Sequence, residues 1–151
     1  IAAKGLAYAN GINRSVDGAT IYVAEFLKRR ITIFERNPET GALRKRKSIA
    51  VNTGPDNIEI ASDGALWIAG HTKVFDFLSH AKDEDNVAPS HVIRLNPRNG
   101  LKSDVFVSTE GELNASSVGA VWDKTLIVGA VFDGHVMVCP MLEIFLTGPE
   151  N

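Results

Sequence analysis

Three side chains stand out for what their chemistry allows. Asn10, Asp56 and Asn57 together supply one carboxylate and two carboxamide oxygens. Oxygen donors of this kind make a hard site, which suits Ca²⁺. Three donors fall short of the roughly six to eight that calcium takes, so such a site needs donors from elsewhere in the protein or from water. A local alternative stands beside this one: Pro55-Asp56-Asn57 also fits an Asx turn. Nothing supports a serine nucleophile, because Ala115-Ser-Ser-Val-Gly119 is not Gly-x-Ser-x-Gly.

The chain must bring Asn10 next to Asp56 and Asn57 for the site to exist, and its pattern of elements shows how. Short β-branched and aromatic runs alternate with turn residues. Ala19–Phe26, Ile31–Phe34, Leu43–Val51, Asn57–Ala61, Leu66–Gly70, His91–Leu95, Val105–Ser108, Val118–Trp122, Leu126–Phe132 and Val136–Val138 read as strands. Turns such as Asn37–Gly41, Ser62-Asp63-Gly64 and Asn96–Gly100 separate them. No stretch shows a sustained helical period with caps. The expected class is all-β and antiparallel.

The elements repeat. Asn10-Gly-Ile, Asp17-Gly18 and Ile21–Ala24 are echoed by Asn57-Ile58, Asp63-Gly64 and Leu66–Ala69. Val118–Gly129 is a weaker third copy, with Ser117 in the asparagine's place. Ile31–Gly41 is echoed by His91–Gly100, and the added length falls in Ser79–Pro89, which reads as a loop. A unit of about 40–50 residues holding four strands is the signature of a β-propeller blade. A two-sheet sandwich with similar hairpins is the alternative, and the ordered repetition of two separate elements favours the propeller. Residues 10–51 and 57–108 make two blades, and 117–140 part of a third. Blade starts converge on a propeller's central channel, which draws Asn10 towards Asp56 and Asn57. Rings close with roughly 4–8 blades. Two and a half blades therefore point to the C-terminal part of a longer protein, or to self-association.

Composition bounds the rest. The 151 residues carry 16 Lys and Arg against 18 Asp and Glu, with 44% hydrophobic residues, which excludes a disordered chain and a dedicated nucleic-acid binder. Arg44-Lys-Arg-Lys47 reads as a solvated outer strand. Asp83-Glu-Asp-Asn86 lacks the spacing of an EF-hand loop. Asn13-Arg-Ser15 and Asn114-Ala-Ser116 fit the glycosylation sequon, of use only if the protein is secreted. No apolar run approaches the ~18 residues of a membrane span. A lone cysteine, Cys139, allows no disulfide within the chain.

Tyr8-Ala-Asn-Gly-Ile, Tyr22-Val-Ala-Glu-Phe, Pro55-Asp-Asn-Ile, Trp67-Ile-Ala-Gly-His71 and Ser116-Ser-Val with Leu126–Phe132 together resemble the paraoxonase/arylesterase family, over about residues 5–140. More distantly they are similar to gluconolactonase and strictosidine-synthase-like propellers. The resemblance implies a six-bladed ring and a calcium-dependent hydrolase of lactones and aryl esters. It implies that Asn10, Asp56 and Asn57 bind the catalytic Ca²⁺, with the remaining ligands in N-terminal blades that are not in this chain. His71 matches a histidine lining the family's active-site cavity and is the candidate catalytic residue, an imidazole that beside a metal positions water or steers a proton, with a structural wall histidine as the alternative; Phe132 matches an aromatic wall position. His80, His91 and His135 have no such context and read as surface or structural. Cys139 matches a family cysteine that pairs with one near the N-terminus, which implies an oxidising, extracellular or membrane-associated setting. Attachment to a membrane or lipoprotein is not readable here, because family members attach through N-terminal segments. Residues 141–151 read as a divergent tail.

The implied reaction is attack of a metal-activated water on an ester carbonyl, with a small lactone or ester as partner and no nucleic acid. The isolated chain, lacking the other ligands, is expected to be inactive. The competing readings are a non-catalytic propeller binding module and an inactive truncated product.

Overall fold

A computed structural model describes residues 1–142. The strands are β1 (Ala9–Arg14), β2 (Thr20–Glu25), β3 (Arg30–Arg36), β4 (Leu43–Ala50), β5 (Gly54–Ile60), β6 (Leu66–His71), β7 (Ser90–Leu95), β8 (Lys102–Ser108), β9 (Ser116–Trp122), β10 (Thr125–Ala130) and β11 (Val136–Pro140). Among the described residues one helix, α1 (Val74–His80), follows β6. The strands form three antiparallel meanders, β1 to β4, β5 to β8 and β9 to β11, each in sequence order. These are propeller blades, as the repeats predict, and three separate sheets rule out the two-sheet sandwich.

The sheets stack face to face because the middle one is apolar on both sides. On β6, Leu66 and Ile68 pack with Tyr22, Ala24, Ile31 and Ile33 of the first sheet. Trp67 and Ala69, on the opposite face, pack with Leu126 and Val128 of the third. Alternation with period two thus feeds two cores from one strand. The outer strand β4 is mostly exposed. Its basic run lies in solvent, where Arg44 and Arg46 pair with Glu35 at 2.5 and 3.3 Å.

The turns repeat as well as the strands. In both Asn-Pro turns the fifth residue's N–H returns to the first carbonyl, Gly41 to Asn37 at 2.9 Å and Gly100 to Asn96 at 2.8 Å. The asparagine side chains accept further turn amides, from Glu39 and Thr40 in one and from Arg98 in the other.

A buried polar cluster fixes the entry into β1. Glu25 is fully buried and pairs with Arg30 at 2.7 Å. It also accepts the Thr32 hydroxyl and the Ala7 N–H. Burial pushes the Glu25 carboxyl up, but these four hydrogen bonds outweigh it and hold the group at about 2. Serines join the second and third sheets. Ser90 Oγ donates to the Leu113 carbonyl at 2.7 Å and accepts the Ser116 N–H at 2.9 Å. Ser116 Oγ accepts the His91 N–H at 3.0 Å.

Two sequence expectations need correction. Helix α1 stands where no helix is expected, and the added length of the second blade is shared between α1 and the following loop. The helix is a short segment with no side-chain cap at Lys73, so the usual start signal is missing. Its contacts are tertiary. Phe77 and His80 turn towards aromatic neighbours, while Phe75 is 84% exposed.

Candidate active site at the inner strands

Strand β5 lies beside both β1 and β9, so the first strands of the three blades form the inner row. Each carries a bulge at its start. On β1 the pairing runs from Ala9↔Glu25 to Ile12↔Val23, three steps against two. On β5 it runs from Pro55↔Gly70 to Ile58↔Ile68, again three against two. On β9, Ser117 is the extra residue between Ser116↔Ala130 and Val118↔Gly129. The bulges therefore hold Asn10-Gly11, Asp56-Asn57 and Ser117. A bulge re-aims side chains out of the alternating pattern, and here it does so at the same level of each blade.

This placement corrects the alignment of the repeats. Asn10 sits inside β1, a strand the sequence reading does not list, and Asn57 sits inside β5, which begins three residues earlier than expected. Counted from Ile12 and Ile58, Asn10 is level with Asp56, and Gly11 with Asn57. The Asx-turn alternative for Pro55-Asp56-Asn57 is likewise replaced by a strand bulge. Gly11 explains how the two strands come so close. A Cβ on it would lie 2.3 Å from the Asp56 carbonyl oxygen and 2.7 Å from Asn57 Cα. Only glycine allows that approach.

The three predicted donors are thus brought together. Asp56 is 8% exposed. Asn10 and Asn57 are exposed. Asn57 Nδ2 donates to the Ser117 carbonyl at 3.0 Å, which leaves its Oδ1 available as an acceptor. One carboxylate and two carboxamides at adjoining inner-strand bulges are oxygen donors of the kind a hard cation such as Ca²⁺ takes.

His71, at the end of β6, is 2% exposed, and its Nε2 lies 3.5 Å from Asp56 Oδ2. Its other ring nitrogen, Nδ1, is buried without a hydrogen-bond partner. The ring is enclosed by aromatics. Phe77 stacks on it with centroids 4.2 Å apart, Phe26 meets it edge-on at 5.8 Å, and Tyr8 packs on Phe26 at 5.5 Å. Phe132, 48% exposed, reaches this group through Phe77, with centroids 5.8 Å apart. The predicted wall residue therefore lies one ring away from His71.

Phe77, Tyr8, Phe26 and Gly11 are site residues that reading the sequence for donors does not single out. For Gly11 the available signal is its position, directly after a candidate ligand. Phe77 carries none, because α1 itself is unmarked. Cys139 lies on β11, half-buried against the second core, where burial pushes its thiol up. It is a free thiol in this chain.

The Arylesterase family model matches residues 1–141. Human serum paraoxonase/arylesterase 1 is 33% identical over 141 residues, covering 87% of this chain and 38% of the relative. Human serum paraoxonase/arylesterase 2 is 31% identical over 139 residues, with the same two coverages. The chain therefore spans little more than a third of the length of these relatives. Among solved structures, a proposed 6-phosphogluconolactonase of Bacteroides fragilis superposes with a TM-score of 0.60 at 14% identity, covering 91% of this chain and 36% of its own. A luciferin-regenerating enzyme gives 0.57 at 18% identity, covering 83% and 38%. These two likenesses bear on the fold. With a family match along nearly its whole length and an inner row of blade-start donors, the chain belongs to the arylesterase family.

Proposed function

We propose that these residues form part of the active site of a calcium-dependent hydrolase of lactones and aryl esters. The observation that carries this reading is the buried Asp56 carboxylate, set in an inner-strand bulge between two asparagines and facing His71 at 3.5 Å. Family membership and the two human relatives named for paraoxonase and arylesterase support the reaction class.

Asp56, Asn10 and Asn57 would hold the ion, and bound Ca²⁺ supplies Lewis-acid polarisation of the ester carbonyl. Asp56 contributes the charge. The asparagines orient without neutralising it. His71 Nε2, 3.5 Å from Asp56, is placed to orient a water between imidazole and carboxylate. Phe77, Phe26 and Tyr8 keep bulk water from the flanks of His71 and offer an apolar wall to an acyl or aryl group. The ring is proposed to be completed by N-terminal blades that bring the remaining donors. The 151 residues alone are then inactive. Pairing of Cys139 with a cysteine from those blades, and a secreted or membrane-associated setting, belong to the same proposal.

The test is Asp56→Asn in the full-length protein that carries this chain. Removing the only carboxylate among the three donors should abolish Ca²⁺ binding by calorimetry and hydrolysis of an aryl ester, while the fold by circular dichroism stays intact. Chelator should reproduce the loss in the unmodified protein. Full, chelator-insensitive hydrolysis in the variant would defeat the assignment, and no hydrolysis by the unmodified full-length protein in saturating Ca²⁺ would favour a propeller used as a binding platform.

A further inference from the structure

Two asparagines carry the sequon for N-linked glycosylation, in Asn13-Arg-Ser15 and in Asn114-Ala-Ser116. As motifs they are equal, but the fold treats them differently. The sugar replaces a hydrogen on Nδ2. What that nitrogen does in the folded chain therefore decides whether a glycan is compatible with it.

Asn13 lies on β1, in the inner row. Its Nδ2 donates to the Ile58 carbonyl on β5 at 2.7 Å, and its Oδ1 accepts the Arg14 N–H at 2.8 Å. Both ends of the amide are engaged, and the nitrogen joins two blades. A sugar on it would press on the β5 backbone, where Gly11 already brings the strands as close as they can come.

Asn114 lies between β8 and β9 and is half-buried. Its Oδ1 accepts the Ala88 N–H at 2.9 Å, and its own backbone N–H donates to Asp133 Oδ2 at 2.7 Å. The side chain is thus held by its oxygen. Its Nδ2 donates to nothing among the described residues and is open to solvent. Gly111 faces this amide. A Cβ there would come 4.0 Å from both Nδ2 and Oδ1, and its absence keeps the nitrogen uncovered. Beside it lies a cavity of about 340 Å³, which Asn114 lines together with the exposed Glu84 and Asp85.

The third residue of the sequon sets an order of events. Ser116 is buried, and its Oγ accepts the His91 N–H at 3.0 Å. That hydroxyl is out of reach once β9 has packed, so the sugar must be added before folding. The donor is an oligosaccharide on a lipid diphosphate. The bond from sugar C1 to the phosphate oxygen breaks and a C1–Nδ2 bond forms. The lipid diphosphate leaves, and one amide proton passes to a base on the transferase.

We propose that Asn114, and not Asn13, carries an N-linked glycan in the folded protein. This rests on the secreted setting proposed above. A glycan at Asn114 costs the fold no hydrogen bond, whereas one at Asn13 crowds the Asn13–Ile58 link. Phe132 lines the same cavity as Asn114, so the glycan stands beside the aromatic wall of the candidate active site.

The test is site mapping on the full-length protein that carries this chain, secreted from eukaryotic cells behind an added leader. Peptide N-glycosidase in heavy-oxygen water converts each glycosylated asparagine to a labelled aspartate, which peptide mass spectrometry locates. Asn114 should be labelled in most molecules and Asn13 in none. Asn114→Asp keeps an acceptor for the Ala88 N–H and should lose the mass of one glycan. Ser15→Ala, which removes the other sequon, should lose none. The proposal is overturned if Asn114 is unlabelled in the secreted, folded protein, or if Asn13 is labelled to a similar extent. The leader imposes entry into the secretory lumen, so a missing glycan counts against the site and not against the setting. The same mapping on the protein from its own cells tests the setting. Unlabelled Asn114 there, beside labelling behind the leader, would remove the secreted reading and leave the hydrolase to the Asp56→Asn assay.

Discussion

Replacing Gly11 with alanine isolates the close approach that builds the inner row. The added Cβ would sit 2.3 Å from the Asp56 carbonyl oxygen, whereas real Cβ contacts essentially never fall under 3.0 Å. Strand β1 or β5 must therefore recede by about 0.7 Å or more, and the obstacle is backbone, which cannot rotate away. Forcing an extra carbon into packed surroundings costs about 1–3 kcal/mol, and rigid backbone puts this case near the top. For a chain of this size about 3 kcal/mol lowers Tm by roughly 6–12 °C. Gly18→Ala is the control. Gly18 has φ +70° with nothing within 4 Å of a Cβ, so only conformational strain is added, about 1 kcal/mol or roughly 2–4 °C. Differential scanning calorimetry of the two variants ranks them directly. In the full-length protein, calorimetric Ca²⁺ titration should also show affinity down about tenfold in Gly11→Ala, since Asn10 moves away from Asp56 with its strand. Equal Tm losses in the two variants, with Ca²⁺ affinity unchanged, would refute both the close approach and its role in the site.

Other consequences are equally direct. Glu25, held at about 2 against an ordinary 4.5, contributes roughly 3 kcal/mol that is present above pH 4.5 and lost as the pH falls towards 2. Chemical denaturation across that range should show a steep loss in the native protein and a flatter one in Glu25→Gln, which starts less stable at pH 7. Ser116→Ala leaves the buried His91 N–H without its acceptor and should cost about 1–3 kcal/mol in urea unfolding. Phe77→Ala uncovers the stacked face of His71. Carbethoxylation mapped by mass spectrometry should then find His71 reactive in the variant and protected in the parent, and equal protection in both would contradict the stack.

Much of this was readable in the chain, because β strands and their turns write themselves in local composition. Asp17-Gly18 and the two Asn-Pro turns mark hairpins whose hydrogen bonds are those observed. The repeat then places Asn10 near Asp56 without any coordinates. What composition does not carry is register. A bulge adds one residue to a strand without changing its character, so the repeat aligns Asn10 with Asn57 although it is level with Asp56. Helix α1 is invisible for a related reason: its stability comes from Phe77 lying on His71 and His80 lying against Phe132, not from caps or period. The Glu25 cluster joins residues that become neighbours only once β2 and β3 pair.

The bulges on β1, β5 and β9 separate two jobs that proteins often entangle. The backbone sets where a donor stands, and the residue in the bulge sets what it donates: an amide at Asn10 against a carboxylate at Asp56 and, one residue on, an amide at Asn57 against a hydroxyl at Ser117. Each blade is thus a socket of constant shape with an exchangeable fitting. The charge and ligand count of the central ring can then drift one side chain at a time, without asking the sheets behind it to repack. A duplicated blade inherits the socket ready-made, so new chemistry at the axis begins as a single substitution, not as a new fold.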